Sequence, residues 1–233
     1  KEAPVLIAPS NKTVSTDPGT NVATGVNLGS ASGFDNSGLA VHIDNNAPSV
    51  YQLGENQVTW TITDAYGNTA TAIQIITVND TEKPVITGGI SDIVVDAPVG
   101  SNTATVLSLG TPTTSDNVNV VSVTNNASGT TYPIGTTTVI WTVRDAAGNE
   151  NTAVQLVIVR DKTAPVLNGV PANTTATCGT IPSVANVTAS DNFDQNIVVS
   201  FTQSSTKGTD PTQASFYNYT ITRTWTATDA GLN

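Results

Sequence analysis

Cysteine is nearly absent. Cys178 is the only one, so no disulfide forms within the chain. There is no methionine and a single histidine, His42. Without a histidine in its own repeat, Cys178 has no partner for nucleophilic catalysis. Aromatics make up 5% and charged residues 11%, both low. Basic residues are few: 8 against 18 acids, a formal charge of −10. That balance disfavours nucleic acid, because phosphate repulsion dominates. No apolar run is long enough to cross a bilayer, which excludes membrane insertion. No leader stands at the start, and a chain lacking an initiator methionine reads as a monomeric fragment of something longer. Motifs for serine hydrolases, zinc proteases and phosphate loops are missing, so the chain is not expected to be an enzyme.

What fills the gap is Thr and Val, which favour strands, and Asn, Gly and Ser, which favour turns. No segment places apolar residues at helical spacing, so the chain reads as all-β. One stretch organises it: Trp60-Thr-Ile-Thr-Asp64-Ala-Tyr-Gly67-Asn68. It returns as Trp141-Thr-Val-Arg-Asp145-Ala-Ala-Gly148-Asn149, and less completely at Trp225–Asp229–Asn233. The intervals are 145 − 64 = 81 and 229 − 145 = 84 residues, the mark of an array. Three modules are expected: residues 1–80, 81–161 and 162–233, the third lacking its closing strand. Seven or so short strands per module, with regular turn signals, point to tandem immunoglobulin-like β-sandwiches; a small β-barrel is the alternative. The short, Pro-bearing linkers are stiff.

Within each repeat the Trp alternates with apolar neighbours (Val58 and Ile62, Val139 and Val143, Ile221 and Ala227), which assigns it to the core rather than to a sugar-stacking platform. Tyr51 and Tyr132 are expected to anchor a corner through the hydroxyl. In the third repeat Phe216 takes that position, Tyr219 replaces the turn glycine, and a longer Thr-rich strand is expected.

The acids concentrate in turns beside Asn and Gly, where hard-cation ligands are found. In a sandwich, alternate loops share one end. The loop carrying Asp116 and Asn117 then lies near the Asp145–Asn149 turn, at the end where the linker brings Asp80 and Glu82. The third repeat offers Asp161, Asp191, Asp194 and Asp229. The first offers Glu2, Asp35, Asp64 and Asn68 without a preceding Asp, so a weaker site is expected there. Carboxylates, amides and carbonyls form the all-oxygen set Ca²⁺ prefers, whereas Mg²⁺ wants a rigid octahedron.

The Asp-x-x-x-Pro-Val linkers at Asp80–Val85 and Asp161–Val166, the Asp-Asn turns at 35/36, 116/117 and 191/192, and the Trp-Thr-x-x-Asp-Ala strands together resemble the hyalin-repeat (HYR) family of immunoglobulin-like modules. The third repeat is similar to a bacterial version through Cys178-Gly-Thr-Ile-Pro182. That version carries further cysteines where this chain has Phe193 and Gly231, and a partner for Cys178 beyond residue 233 stays open. The resemblance implies a secreted or cell-surface array, as in the adhesins of gliding Bacteroidetes. It implies Ca²⁺ and neighbouring modules as partners, with a surface polysaccharide or another cell-surface protein as a further one. The reading from another class is a carbohydrate-binding or spacer array attached to a secreted hydrolase.

Overall fold

The computed structural model describes residues 2–177 and 179–231; the expected pairing of Cys178 and the final turn residue Asn233 lie outside them. Strands dominate. The first set is β1 (Val5–Ile7), β2 (Lys12–Ser15), β3 (Val22–Thr24), β4 (Ser32–Phe34), β5 (His42–Asn45), β6 (Val50–Gln52), β7 (Gly54–Thr63) and β8 (Thr69–Asn79). The same succession returns as β9 (Val85–Gly88), β10 (Ile93–Asp96), β11 (Thr103–Thr105), β12 (Thr113–Ser115), β13 (Val120–Asn125), β14 (Thr131–Pro133), β15 (Gly135–Asp145) and β16 (Glu150–Arg160). Then come β17 (Val166–Asn168), β18 (Thr188–Ser190), β19 (Val198–Ser205), the one-turn helix α1 (Ala214–Tyr217) and β20 (Ile221–Thr228). The sheet order β2-β8-β7-β5 recurs as β10-β16-β15-β13.

The chain divides into two compact units. The first holds the residues through Ile90 together with Gly110–Asn126 and Ile140–Val154. Here β7 and β8 pair antiparallel from Gly54↔Val78 to Thr63↔Thr69. Val58, Trp60 and Ile62 point inward because side chains alternate faces along a strand. Ala23 of β3 and Tyr51 of β6 pack into the same cluster as Val58, Trp60, Ile76 and Val78. Two sheet layers thus share one core, which is a sandwich. Each fully buried Val or Ile contributes roughly 1.5–3 kcal/mol.

One polar residue sits in that core. Gln74 is fully buried. Its Oε1 accepts the Trp60 indole N–H at 3.1 Å, and its Nε2 donates to the carbonyls of Ser10 (2.7 Å) and Leu28 (3.0 Å). It thereby ties the strand β8 to the chain on either side of β2 and β3. Two carbonyls that no strand pairs are satisfied from inside the core, as burial demands.

The second unit holds Ser91–Leu109, Ala127–Val139 and the chain from Gln155 onward. Gln155 repeats the device, donating to Ser91 O (2.7 Å) and Leu109 O (2.9 Å). The strand β10 runs parallel to β16, as β2 does to β8. In the last repeat β19 and β20 pair over eight positions, and Phe201 packs on Trp225 with ring centroids 5.3 Å apart.

Three details differ from expectation. The Thr-rich strand of the third repeat is shorter, not longer: 8 residues in β20 against 10 in β7 and 11 in β15. Phe216 falls in α1, because Asp210 accepts N–H bonds from Thr212 and Gln213 and turns the chain before β20 begins. Tyr132 is buried, yet its hydroxyl has no hydrogen-bond partner among the described residues, so it anchors no corner.

Candidate metal centres

The first two Trp strands each end in a tight turn built around their Asp. At the end of β15, Asp145 Oδ1 accepts the N–H groups of Gly148 (2.6 Å) and Asn149 (2.8 Å), and Oδ2 accepts Asn149 Nδ2 at 2.7 Å. Gly148 at φ +97° supplies the left-handed residue the turn requires. Burial, the largest influence on Asp145, pushes its carboxyl up. The side-chain amide of Asn149 and the N–H groups of Asn149, Gly148 and Ala147 together outweigh it and hold the group below the usual carboxylate range. Asp64 is built alike, with N–H donors Tyr66 and Asn68 and the Asn68 side chain at 2.6 Å.

The Asp-Asn loops after β12 and β18 are Asx turns. Asp116 Oδ2 accepts Val118 N and Asn119 N, both at 3.0 Å. Asp191 Oδ2 accepts Phe193 N (2.8 Å) and Asp194 N (3.1 Å). Burial raises the Asp191 carboxyl most, and the N–H groups of Phe193, Asp194 and Asn192 bring it below its ordinary value.

These loops meet the linkers. Carboxylate oxygens of Asp80, Asp116 and Asp145 lie within 4.8 Å of one another in the first unit. Those of Asp161, Asp191 and Asp229 do so in the second. Two oxygens each about 2.4 Å from one ion are at most about 4.8 Å apart, so each triplet fits a common Ca²⁺. The spare valences agree. Asp80 is 6% exposed and its Oδ1 accepts Glu82 N, while its Oδ2 is buried without a donor among the described residues. Asp116 Oδ1 and Asn117 Oδ1 are buried and donorless too, as are Asp191 Oδ1 and Asn192 Oδ1. Among the described residues, no Lys, Arg or His pairs with Asp80, Asp116 or Asp145; the ion pairs are Arg144–Glu150 and Arg160–Asp96. A cation would satisfy the buried oxygens of Asp80, Asp116 and Asn117 that no donor reaches among the described residues.

Not every anticipated ligand joins. Glu82 Oε2 accepts Gly19 N at 2.8 Å. Asp194 Oδ2 accepts Ala230 N at 2.6 Å. Asn149 closes its turn and reaches Asp80 O at 3.4 Å. Glu2 accepts Asn36 Nδ2 at 2.7 Å, and Asp35 Oδ2 accepts Ser37 N. Among the described residues Glu2, Asp35 and Asp64 form no such triplet. Trp60 and Trp141 are buried, which leaves neither face open to a sugar.

Fold and clusters together define a class: repeated β-sandwiches whose oxygen-rich clusters recur with the sequence period. Residues 79–159 match the HYR domain, so the chain carries HYR repeat sequence. It is 34% identical over 183 residues to hyalin of Strongylocentrotus purpuratus, and 36% identical over 187 residues to hyalin of Lytechinus variegatus. Each alignment covers 72% of this chain, but only 15% and 34% of those hyalins respectively, so the chain spans about a third or less of their length. Human protocadherin-24 EC1-2 is similar at 15% identity and a TM-score of 0.37, over 69% of this chain and 100% of that one. No helix among the described residues is long and apolar enough to cross a membrane.

Proposed function

We propose that this chain is a calcium-stiffened segment of a cell-surface or extracellular adhesion protein, three sandwich modules long. The carrying observation is Asp80 Oδ2, buried and donorless beside the carboxylates of Asp116 and Asp145. A cation held there by a linker and by the loops of the next module fixes the angle between modules. The segment then works as a stalk that holds a binding region away from the cell, with a polysaccharide or cell-surface protein as the distal partner. The two hyalins are sea-urchin proteins, so the bacterial gliding-adhesin context draws no support from them. A hydrolase spacer draws none from the buried Trp60 and Trp141.

Extracellular modules bind calcium with Kd of about 10⁻⁴–10⁻³ M. At a hundred times Kd the gain is about 2.7 kcal/mol, a large share of a small domain's stability. The test is a melting curve of the whole chain with chelator and with millimolar Ca²⁺, paired with small-angle scattering. Calcium should raise the melting temperature and narrow the distribution of end-to-end distances. Superimposable melts would remove the metal from the account.

A further inference from the structure

Resting on the calcium reading, the structure assigns a second task to the Asn of each Asp-Asn turn: we infer that Asn117 and Asn192 transmit cation occupancy to the loop of the preceding repeat. Asn117 Nδ2 donates to the backbone carbonyl of Thr20 at 2.7 Å, to Asp80 Oδ1 at 3.2 Å and to Thr16 Oγ1 at 3.4 Å. Thr20 lies 97 residues earlier, in the loop between β2 and β3. A carbonyl and a carboxylate on one side fix which end of the carboxamide is the donor; the flipped amide would set oxygen against oxygen. Oδ1 must therefore face the other way, one carboxamide width from a nitrogen that touches Asp80, and it is buried without a donor.

The same arrangement stands one repeat on. Asn192 Nδ2 donates to Ser101 O at 3.0 Å, and its Oδ1 is likewise buried and donorless. Ser101 follows Thr20 by 101 − 20 = 81 residues, the repeat interval. Both receiving loops are tight: Thr20 N donates to Asp17 O, and Ser101 N to Pro98 O. A second tie runs beside each, from Gly19 N to Glu82 Oε2 and from Gly100 N to Thr163 Oγ1. That tie touches no donorless oxygen and does not depend on the metal. Of the two ties, only the carboxamide carries a donorless oxygen at its other end. A cation bound to Oδ1 polarises the amide and strengthens the N–H donors on the far end. It also fixes the rotamer that reaches Thr20. Because coupling is reciprocal, docking of the loop tightens the cation by the same factor.

The test uses the full chain with Ca²⁺ alone. Hydrogen–deuterium exchange is followed in residues 16–22 and 98–103, with chelator and at calcium levels shown by titration to saturate each variant. In the wild type, calcium slows exchange in both segments by at least about fivefold, the lower end of typical coupling. Asn117→Asp keeps an oxygen toward the cluster but cannot donate to Thr20 O. It loses the calcium effect in 16–22 and keeps it in 98–103, which reports that the second cluster is intact, while the titration reports that the first is still filled. Asn192→Asp gives the mirror image. Retention of the 16–22 response in Asn117→Asp overturns the inference. So does a wild type that binds calcium with no slowing in either segment, which leaves the calcium reading standing. Absence of calcium binding overturns both.

Discussion

Asp80→Asn separates a metal ligand from an ordinary turn former, because the two roles predict opposite signs in one condition. The turn role lives on Oδ1, which accepts Glu82 N at 3.0 Å and Asn117 Nδ2 at 3.2 Å. An Asn at position 80 keeps that oxygen. What changes is Oδ2, where an NH₂ group replaces a donorless oxygen. With chelator, the substitution removes like-charge repulsion from Asp116 and Asp145, whose oxygens lie within 4.8 Å. At an effective dielectric of 20, a pair at the full 4.8 Å costs about 3.5 kcal/mol before solvent screening. Asp116 is partly open to solvent, so the surviving gain is on the order of 1 kcal/mol. Metal-free Asp80→Asn should therefore be more stable than the wild type. With calcium the order reverses. A tenfold loss of affinity turns a hundredfold excess over Kd into a tenfold one and cuts the stabilisation from about 2.7 to about 1.4 kcal/mol. For a repeat of this size the wild-type calcium increment is about 11–22 °C, and about half of it should vanish. Differential scanning calorimetry in chelator and in excess Ca²⁺ reads both. A variant that is less stable without metal, with an undiminished calcium increment, would refute the assignment of Asp80 as a ligand.

Two further outcomes follow from the fold. Gln74→Leu leaves the Trp60 indole N–H and the carbonyls of Ser10 and Leu28 without partners, at about 1–3 kcal/mol each. Urea unfolding followed by Trp fluorescence should report a loss of about 3 kcal/mol or more; under 1 kcal/mol would mean the core absorbs the change. Asp64 is the pH-sensitive turn. Burial raises its carboxyl, and the Asn68 side chain with the N–H groups of Asn68, Tyr66 and Gly67 lowers it further than burial lifts it. A carboxyl depressed in the folded state adds stability above its unfolded value, near 3.9, and loses it as pH falls through the folded value. Acid unfolding in chelator should be less steep for Asp64→Asn, and identical profiles would count against this turn.

The period and the core were legible because both rest on spacing. Val58, Trp60 and Ile62 alternate with Thr, and the structure buries that face. Gln74 was legible in principle but missed. It falls in phase with Ile76 and Val78, so the alternation that buries them buries it too, and a buried amide must find partners. The parallel pairing of β2 with β8 left no sequence mark, since a three- or four-residue strand carries too little pattern to choose a direction. The acids were found as a set, but their division of labour was not. Asp80, Asp116 and Asp145 converge, while Glu82 turns back to Gly19 and Asp194 caps Ala230. Composition cannot separate a carboxylate that faces a cation from one that accepts a backbone N–H, because both chemistries ask for the same oxygen.

One register does mark the difference. Asp80 stands four residues before Pro84, and Asp161 four before Pro165. Each of these acids is buried in a triplet. The equivalent position before Pro4 precedes residue 1, and Glu2 is only two before it. Glu2 instead holds the Asn36 amide, the group whose counterparts Asn117 and Asn192 reach the preceding loop. The Asp-Ala turn, by contrast, is built alike at Asp64 and Asp145, whether or not a triplet forms around it. The turn therefore belongs to the fold of a single repeat. In the calcium reading the cation site belongs to the joint, because one of its buried carboxylates comes from the linker and its amide spans to the repeat before. A metal held by only one repeat could stabilise that repeat and nothing else. A metal whose ligand set is complete only when two repeats meet makes the angle between them part of its binding energy.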